Sequence, residues 1–418
     1  MHDVIVIGGG PAGTTSATLL ARDGFRVLLL ERERFPRFQI GESLLPYNND
    51  IFARLGVTES LVEGEYFPKY GATFVTGDGN VGYSFRFDRT LREPYTRSFQ
   101  VKRADFDHML LRNAVKHGVD VREGTAVASV DLSDADRARV KTTGGEEHEA
   151  RFVIDASGHG AVLGKSVGEK SDIESLKKIA IFAHYDNVER APGREAGNTV
   201  IAVLQNAWFW LIPVTATTMS VGLVVDRDHV MNCGLSPEML LEKTIAATPY
   251  VAKAMRNATR TTQVYTRKDF SFRMRHLAGT NYALAGDAAG FLDPIFSTGV
   301  FMAMKSADIV ASGVSQRLKG GSMRALKTYE RDMTTALAKY LRFIEFFYQR
   351  DFLEVFMQPS ERFGLLTPIV GVLAGNIFAK RGNRFKLALF FFLVRMQKWR
   401  GGIAPRIAWE TLPPAASA

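Results

Sequence analysis

Asp3-Val-Ile-Val-Ile-Gly8-Gly-Gly10-Pro-Ala-Gly13 opens the chain, and Arg26-Val-Leu-Leu-Leu-Glu31 follows it. The first stretch is an apolar run of strand type that ends in G-x-G-x-x-G. The second is another apolar run that ends in an acid. Together they predict a strand, a tight glycine turn, a helix and a second strand. Gly8 allows the tight turn. Gly10 lets the backbone approach a pyrophosphate, and Gly13 lets the helix pack closely on the sheet. Pro11 and Ala12 begin that helix, whose free N–H groups and partial positive charge favour phosphate. Glu31, with Arg32 beside it, stands where an adenosine ribose would be bound. A dinucleotide-binding βαβ unit is therefore expected at the N-terminus.

Working outward, 418 residues are enough for two or three domains. A composition 46% hydrophobic and 23% charged is that of an ordinary globular protein. The one cysteine, Cys233, excludes a disulfide framework or a thiolate metal cluster within one chain. A cytoplasmic, reducing compartment fits that usage. The first strand begins at the N-terminus, which argues against a removable signal peptide. The longest apolar run, Leu387 to Val394, stops at Arg395 and falls short of the ~20 residues that a membrane-crossing helix needs. The net charge of +9 is concentrated. Residues 362–409 carry nine basic side chains (Arg362, Lys380, Arg381, Arg384, Lys386, Arg395, Lys398, Arg400 and Arg406) and no acid, so the remainder nets to zero. Such a region is either a solvated face or a dock for an acidic partner or an anionic membrane surface. No nucleic-acid partner is expected.

The expected class is α/β (α+β). Residues 36–99 read as loop-rich. Gln100 to His117 has helical spacing, and strands resume at Val119–Val121, Ala126–Val130 and Ala150–Asp155. Over 177–275 alternating strands dominate, at Lys178–His184, Thr199–Val203, Trp208–Val214 and Met219–Val225, with one helix near Pro237–Ala254. That stretch reads as an inserted antiparallel sheet, a roof for a substrate. Helical periodicity fills 298–350. The boundaries that follow are a discontinuous nucleotide-binding domain over 1–175 and 276–320, a substrate domain over 176–275, and a helical, basic region over 321–418.

Two further strand ends run into glycine turns, Asp155-Ala-Ser-Gly158 and Ala285-Gly286-Asp287-Ala-Ala-Gly290. Asp287 can bond a ribityl hydroxyl, and the helix that follows can face the flavin edge where negative charge gathers on reduction. With the first fingerprint, this order points to FAD rather than NAD. A second G-x-G-x-x-G is missing, so pyridine nucleotide binds transiently or reduced flavin comes from a separate protein.

Several segments together resemble the FAD-dependent halogenases, which share the glutathione-reductase-type FAD-binding Rossmann fold of aromatic hydroxylases. Trp208-Phe-Trp210-Leu-Ile-Pro213 matches W-x-W-x-I-P, and Phe291-Leu-Asp-Pro294-Ile-Phe296-Ser297-Thr298-Gly299 matches F-x-x-P-x-x-S-x-G. Gly41-Glu42-Ser43 resembles the family's G-E-S segment. Pro68-Lys69-Tyr-Gly71 resembles its active-site lysine segment, and Gln100 to Asp107 its flavin-contacting arginine segment, with Arg103. The likeness runs from residue 1 to about 315. It is most specific at the W-x-W-x-I-P and lysine segments.

What the resemblance implies is a reaction of reduced FAD, O2 and chloride or bromide. The halide is held near Ser297, Thr298 and Gly299, and hypohalous acid is received by Lys69. Trp208 and Trp210 keep substrate from the flavin. FAD contacts are implied at Gly8, Gly10, Pro11, Ala12, Gly13, Glu31, Arg32, Ser43, Arg103, Asp287, Gly299 and Val300, and a substrate passage at Trp208, Trp210, Pro213, Phe291, Pro294 and Phe296. A separate flavin reductase is the implied partner. Tryptophan-type members place a glutamate before the serine, where this chain has Phe296, and they are longer. A phenol or pyrrole ring, free or bound to an acidic carrier protein, is therefore expected rather than free indole. His184 and His276 remain candidate partners for a phenol. Two other readings of the same scaffold stay open: a monooxygenase acting on an aromatic or a protein-bound tryptophan, and a reductase of isoprenoid double bonds. A flavin-binding module without activity is a distant further alternative.

Overall fold

In the computed structural model, residues 1–64, 66–167, 169–268, 271–358, 365–378 and 384–412 are described. Arg362, Lys380 and Arg381 of the basic region lie outside them. The chain forms two compact units. One comprises residues 1–64, 102–173 and 271–339, and the other residues 65–101, 174–270 and 340–418.

The first unit is built on the opening motif. Strand His2–Ile7 pairs in parallel with Val27–Leu30 on one side and with Glu147–Asp155 on the other. Asp120–Arg122 and Tyr282–Leu284 extend the sheet, also in parallel. The antiparallel strands Arg137–Thr142 and Val127–Asp134 complete it. Val4–Ile7 and Val27–Leu30 read as continuous apolar runs because a parallel strand covered on both faces has no solvent side. Helix Pro11–Arg22 packs against helix Thr298–Leu318, and Gly286 lets the two turns meet, since a Cβ there would lie 2.9 Å from the Ala12 methyl. This brings the first and last sequence motifs of the unit together.

The second unit is a mostly antiparallel sheet in the order Thr259–Arg260, Lys178–Asp186, Thr218–Asp226, Ala207–Pro213, Thr199–Val203, Gly71–Thr76 and Gly82–Arg86. One face, with Phe209, Leu211, Val221 and Leu223, is buried with Leu240, Leu241 and Val251 of the helices Pro237–Ala247 and Pro249–Ala254. Pro249 divides what reads in sequence as one helix, because a proline ring pushes the preceding residue out of the helical region.

The sequence-based boundaries differ from these units. The stretch 36–99, expected to be loop-rich, holds helices Asn49–Leu55 and Thr58–Glu63 and strands Phe67–Lys69, Gly71–Thr76 and Gly82–Arg86, and Gly71–Thr76 pairs in parallel with Thr199–Val203 of the sheet expected over 176–275. The 321–418 region is not a unit of its own, and the division at 339 falls within helix Arg324–Phe347. Helices Arg350–Met357, Leu366–Leu373 and Arg384–Arg400 follow. Residues 403–407 are fastened by buried Glu354 and Gln397: Arg406 Nη1 donates to Glu354 at 2.9 Å, and the Gln397 carbonyl accepts from the Ile403 and Ala404 amides.

Candidate functional site

The glycine turn behaves as its spacing requires. Gly8 has φ of +103°, and a Cβ there would lie 2.5 Å from the Ala156 carbonyl oxygen. At Gly13 a Cβ would fall 1.8 Å from the Gly8 carbonyl oxygen, so only glycine lets this helix approach the turn. Over Gly10 the space is open except for the Arg37 guanidinium, 3.6 Å from where a Cβ would be. A pyrophosphate brought to this helix N-terminus therefore meets backbone N–H groups on one side and Arg37 on the other. Glu31 is buried, and its carboxylate accepts from the Gly9 amide at 2.6 Å and the Glu33 amide at 2.8 Å. It closes the turn itself and retains lone pairs for a ribose hydroxyl.

Arg37 is a residue that the sequence does not announce. It lies in no motif. Asp107, fully buried, accepts from Arg37 Nη1 at 3.0 Å and from Arg103 Nε and Nη2 at 2.7 and 2.8 Å. Arg103 Nη1 donates to the Ile40 carbonyl at 2.6 Å. One carboxylate thus orients both guanidiniums, aiming Arg37 at the glycine turn and Arg103 at the Gly41–Ser43 segment. Gly41 is required there, because a Cβ would lie 2.9 Å from Arg103 Nη1 and 3.8 Å from the Val300 side chain. Arg32, by contrast, is exposed and pairs with its neighbour Glu33. Arg37→Ala is expected to weaken FAD binding by about tenfold or more, from the loss of one charge-assisted contact, and Arg32→Ala to leave it unchanged. Fluorescence titration of the apoprotein with FAD checks both.

In the same unit, Asp287 is recessed, with 30% of its side chain exposed. Burial pushes its carboxyl above the ordinary range, while His159 and Arg103 oppose that rise. His159 Nδ1 lies 3.4 Å from Asp287, and its ring packs 5.1 Å from that of Phe291. Asp155 serves the fold, since its carboxylate accepts from the Ser157 hydroxyl and the Leu163 amide.

Ser297 sits in the left-handed region at φ of +55° and directly precedes helix Thr298–Leu318, whose first turn has no side-chain cap. Thr298 and Val300 are buried, and a Cβ on Gly299 would lie 3.2 Å from the Phe291 ring. Pro294 and Phe296 form the short turn before it, with Asp293 accepting from the Ile295 amide. Uncapped N–H groups at the start of a 21-residue helix can hold an anion. The open space over Gly10, the recessed Asp287 and the convergence of Gly41, Arg103 and Val300 fit a flavin dinucleotide.

In the second unit, Trp208 and Trp210 lie two apart on strand Ala207–Pro213 and so share one face, with ring centroids 6.0 Å apart. Trp208 Nε1 donates to the Tyr348 hydroxyl at 3.0 Å and Trp210 Nε1 to Ser220 Oγ at 3.1 Å. Gly222 seats Trp210, for a Cβ there would meet the indole at 2.2 Å. Pro213 ends this strand opposite Met219. A small cavity borders Trp208 and is lined also by Phe347, Tyr348, Leu353 and Trp409, four residues that no motif singles out.

Lys69 ends strand Phe67–Lys69 and is only 2% exposed. Its ammonium lies 5.8 Å from the Phe87 ring centroid, and burial pulls its pKa from 10.5 down to about 7. A buried lysine that titrates near neutrality can donate or release a proton under working conditions. His184 and His276 are in neither constellation: His184 donates its backbone amide to Thr262, and His276 is exposed. Among the described residues no cluster of metal-ligating side chains occurs, and no helix is long and apolar enough to cross a membrane.

A family model described as tryptophan halogenase matches residues 3–96 and 78–352. The 1H-pyrrole-2-carbonyl-[peptidyl-carrier protein] chlorinase of Pseudomonas fluorescens is 28% identical over 413 residues, covering 92% of this chain and 91% of the relative. Tryptophan 2-halogenase of Chondromyces crocatus is 34% identical over 81% of this chain, which spans 64% of that longer enzyme. The solved structure of the myxobacterial chondrochloren halogenase CndH, described as a new variant of FAD-dependent halogenases, superposes with a TM-score of 0.79 at 34% identity, covering 94% of this chain and 97% of that one. With its glycine turn, uncapped helix and buried lysine, the chain belongs to the tryptophan halogenase family, a family of FAD-dependent halogenases.

Proposed function

We propose that this chain transfers chlorine or bromine to a phenolic or pyrrole-like ring presented by an acidic carrier protein, with Lys69 holding the oxidant. The observation that carries the proposal is Lys69 itself, a buried amine whose pKa is brought to about 7. Bound FAD, reduced by a separate flavin reductase, supplies the two electrons that O2 requires, and O2 and halide then yield hypohalous acid. The chain's own residues bind and orient. Gly8 to Gly13 and Arg37 receive the pyrophosphate, Asp287 a ribityl hydroxyl, and the N–H groups from Thr298 and Gly299 the halide. The Lys69 ammonium donates a hydrogen bond to hypohalous acid, making the halogen a better electrophile. The ring attacks that halogen, a carbon–halogen bond forms and the halogen–oxygen bond breaks, the oxygen leaving as water with the Lys69 proton, and the halogenated carbon then releases its own proton, which restores the ammonium. Phe296, an apolar side chain, offers no carboxylate to a cationic indole. Phenol and pyrrole rings dispense with one because they can release their own acidic proton.

A carrier partner is supported by the likeness to the Pseudomonas fluorescens chlorinase and by helix Arg384–Arg400. Phe385, Phe392 and Trp399, exposed by 81, 56 and 79%, recur every seven residues and so align on one face. Arg395, Lys398 and Arg400 flank them, and the helix holds no acid. An acidic surface with an apolar centre complements this face. The double variant Arg395→Glu with Lys398→Glu is expected to raise KM for a carrier-bound substrate about tenfold and to leave turnover of a free analogue unchanged. Steady-state kinetics at two salt concentrations checks this.

The decisive experiment is aerobic turnover with a flavin reductase, NADH and bromide. Carrier-bound pyrrole-2-carbonyl, free phenols and indoles serve as substrates, and mass spectrometry reads the bromine isotope doublet. An oxygenated product formed equally well without halide would replace halogenation with monooxygenation.

A further inference from the structure

The glycine turn after strand Glu147–Asp155 carries His159 at its crest, and the turn is firmly braced. The buried Asp155 carboxylate accepts from the Ser157 amide at 2.9 Å, from Ser157 Oγ at 2.6 Å and from the Leu163 amide at 2.7 Å. Ser157 Oγ accepts in turn from the Val162 amide at 3.1 Å. Both ends of the loop 157–163 are thus tied to one carboxylate, and Gly158, with φ of +65°, makes the bend between them. The His159 ring packs on two others, its centroid 5.1 Å from that of Phe291 and 5.9 Å from that of Phe272. The imidazole is therefore fixed in direction. Its side chain stays 47% exposed, so it can exchange a proton with water.

What the loop aims at is Asp287, whose Oδ2 lies 3.4 Å from His159 Nδ1. Among the described residues the Asp287 carboxylate accepts no hydrogen bond, and His159 is its one ion-pair partner. The preceding residue, Gly286, meets Ala12, so this carboxylate stands near the start of helix Pro11–Arg22, where the dinucleotide is received. Burial favours the neutral carboxyl, which accepts a hydrogen bond more weakly than a carboxylate does. Two cations oppose that effect, His159 and Arg103. Arg103 is already held by Asp107 through two hydrogen bonds, whereas His159 has Asp287 as its acid. Lys170 Nζ lies 4.6 Å from the Phe272 ring, so a further charge stands one ring removed from the imidazole.

We infer that His159 is a positioning residue for the cofactor: it is the counter-ion that keeps Asp287 ionised and aimed, so that the other carboxylate oxygen receives a ribityl hydroxyl of FAD. Oδ2 faces the imidazole, and Oδ1 remains for the hydroxyl. This role rests on the assignment of Asp287 to the ribityl chain and is independent of halogen transfer. Its weight depends on pH. An imidazole ordinarily gains its proton between pH 8 and 5. Once it does so, the pair becomes ionic and holds Asp287 as a carboxylate where burial would otherwise protonate it. Without His159 the carboxyl takes up its proton at higher pH, and FAD loses a charge-assisted contact sooner. Above that range the pair has no ionic attraction, and removing the imidazole changes little.

The test is fluorescence titration of the apoprotein with FAD between pH 8.5 and 5.5, in wild type, His159→Gln, His159→Arg, Asp287→Asn and the double variant His159→Gln with Asp287→Asn. His159→Gln should bind FAD as wild type does at pH 8.5 and on the order of fivefold more weakly at pH 5.5. His159→Arg, a cation throughout, should follow wild type at pH 5.5. Asp287→Asn should bind on the order of fivefold more weakly at pH 8.5, and adding His159→Gln to it should change nothing further at either pH. A merely structural histidine would weaken binding equally at both pH values and would not be rescued by arginine. Identical pH profiles for wild type and His159→Gln, with Asp287→Asn weakened, overturn the role of His159 and leave the ribityl contact standing. An Asp287→Asn variant that binds FAD as wild type does at pH 8.5 overturns both. Cofactor binding is read without turnover, so neither result bears on whether the product is halogenated.

Discussion

Lys69→Met is expected to give a protein that is more stable than wild type and inactive in halogen transfer. Both effects come from the same burial. The folded pKa of about 7 lies below the ordinary 10.5 of an unfolded chain, so between these values the unfolded state binds a proton that the folded state does not. The cost of burying this amine is therefore complete below about pH 7, shrinks as pH rises, and is gone above 10.5. The drop from 10.5 to about 7 corresponds to on the order of 5 kcal/mol. Methionine has similar length and no charge, so denaturation at pH 6.5 should show the variant gaining a few kcal/mol, and the gain should be smaller at pH 9. A variant no more stable than wild type at pH 6.5 would mean that the amine is hydrated in the fold.

On the activity side, loss of a positioned proton donor removes on the order of 10³-fold of rate, while FAD should bind Lys69→Met as it binds wild type. The protonated amine is the working form, so the halogenation rate of wild type should fall as pH rises through about 7. Lys69→Arg, whose guanidinium does not deprotonate in this range, should show a low rate without that limb. A wild-type rate that climbs through pH 7 would assign the chemistry to the free amine instead.

How much of this was readable in advance depended on whether a residue's requirement is local. Gly8 and Gly13 announce themselves because a backbone at φ of +103° and a helix 1.8 Å too close for a methyl admit only glycine. The indole pair was legible from strand alternation alone. Arg37 was not, because nothing in the loop 31–40 says that its guanidinium will be turned by an aspartate seventy residues later. The strands within 65–101 are hidden from the sequence for a related reason. They are three to six residues long, and their pairing partners include Thr199–Val203, more than a hundred residues away. Glu31 has a duty that its spacing does not show, since its carboxylate also receives the amides that close the glycine turn.

Gly13→Ala tests the local kind of reasoning at its most severe. The added methyl would lie 1.8 Å from the Gly8 carbonyl oxygen and 3.4 Å from the Val6 side chain. Neither obstacle is the end of a flexible side chain, so the helix must move off the sheet by more than an ångström. That movement carries the first-turn N–H groups away from the pyrophosphate and opens the packing of Ala12 against Gly286. Overpacking of this kind against backbone costs about 3 kcal/mol or more, and the purified variant should lack the flavin absorbance of wild type even in excess FAD. Gly24→Ala provides the contrast. Gly24 has φ of +91°, so alanine there carries backbone strain of about 1–2 kcal/mol, yet no heavy atom lies within 4 Å of the new methyl. That variant should be modestly less stable and keep its FAD. If both variants retained FAD equally, the close approach of helix to turn would not be what holds the dinucleotide. Binding would then have to be sought in Arg37 and the buried carboxylate that aims it.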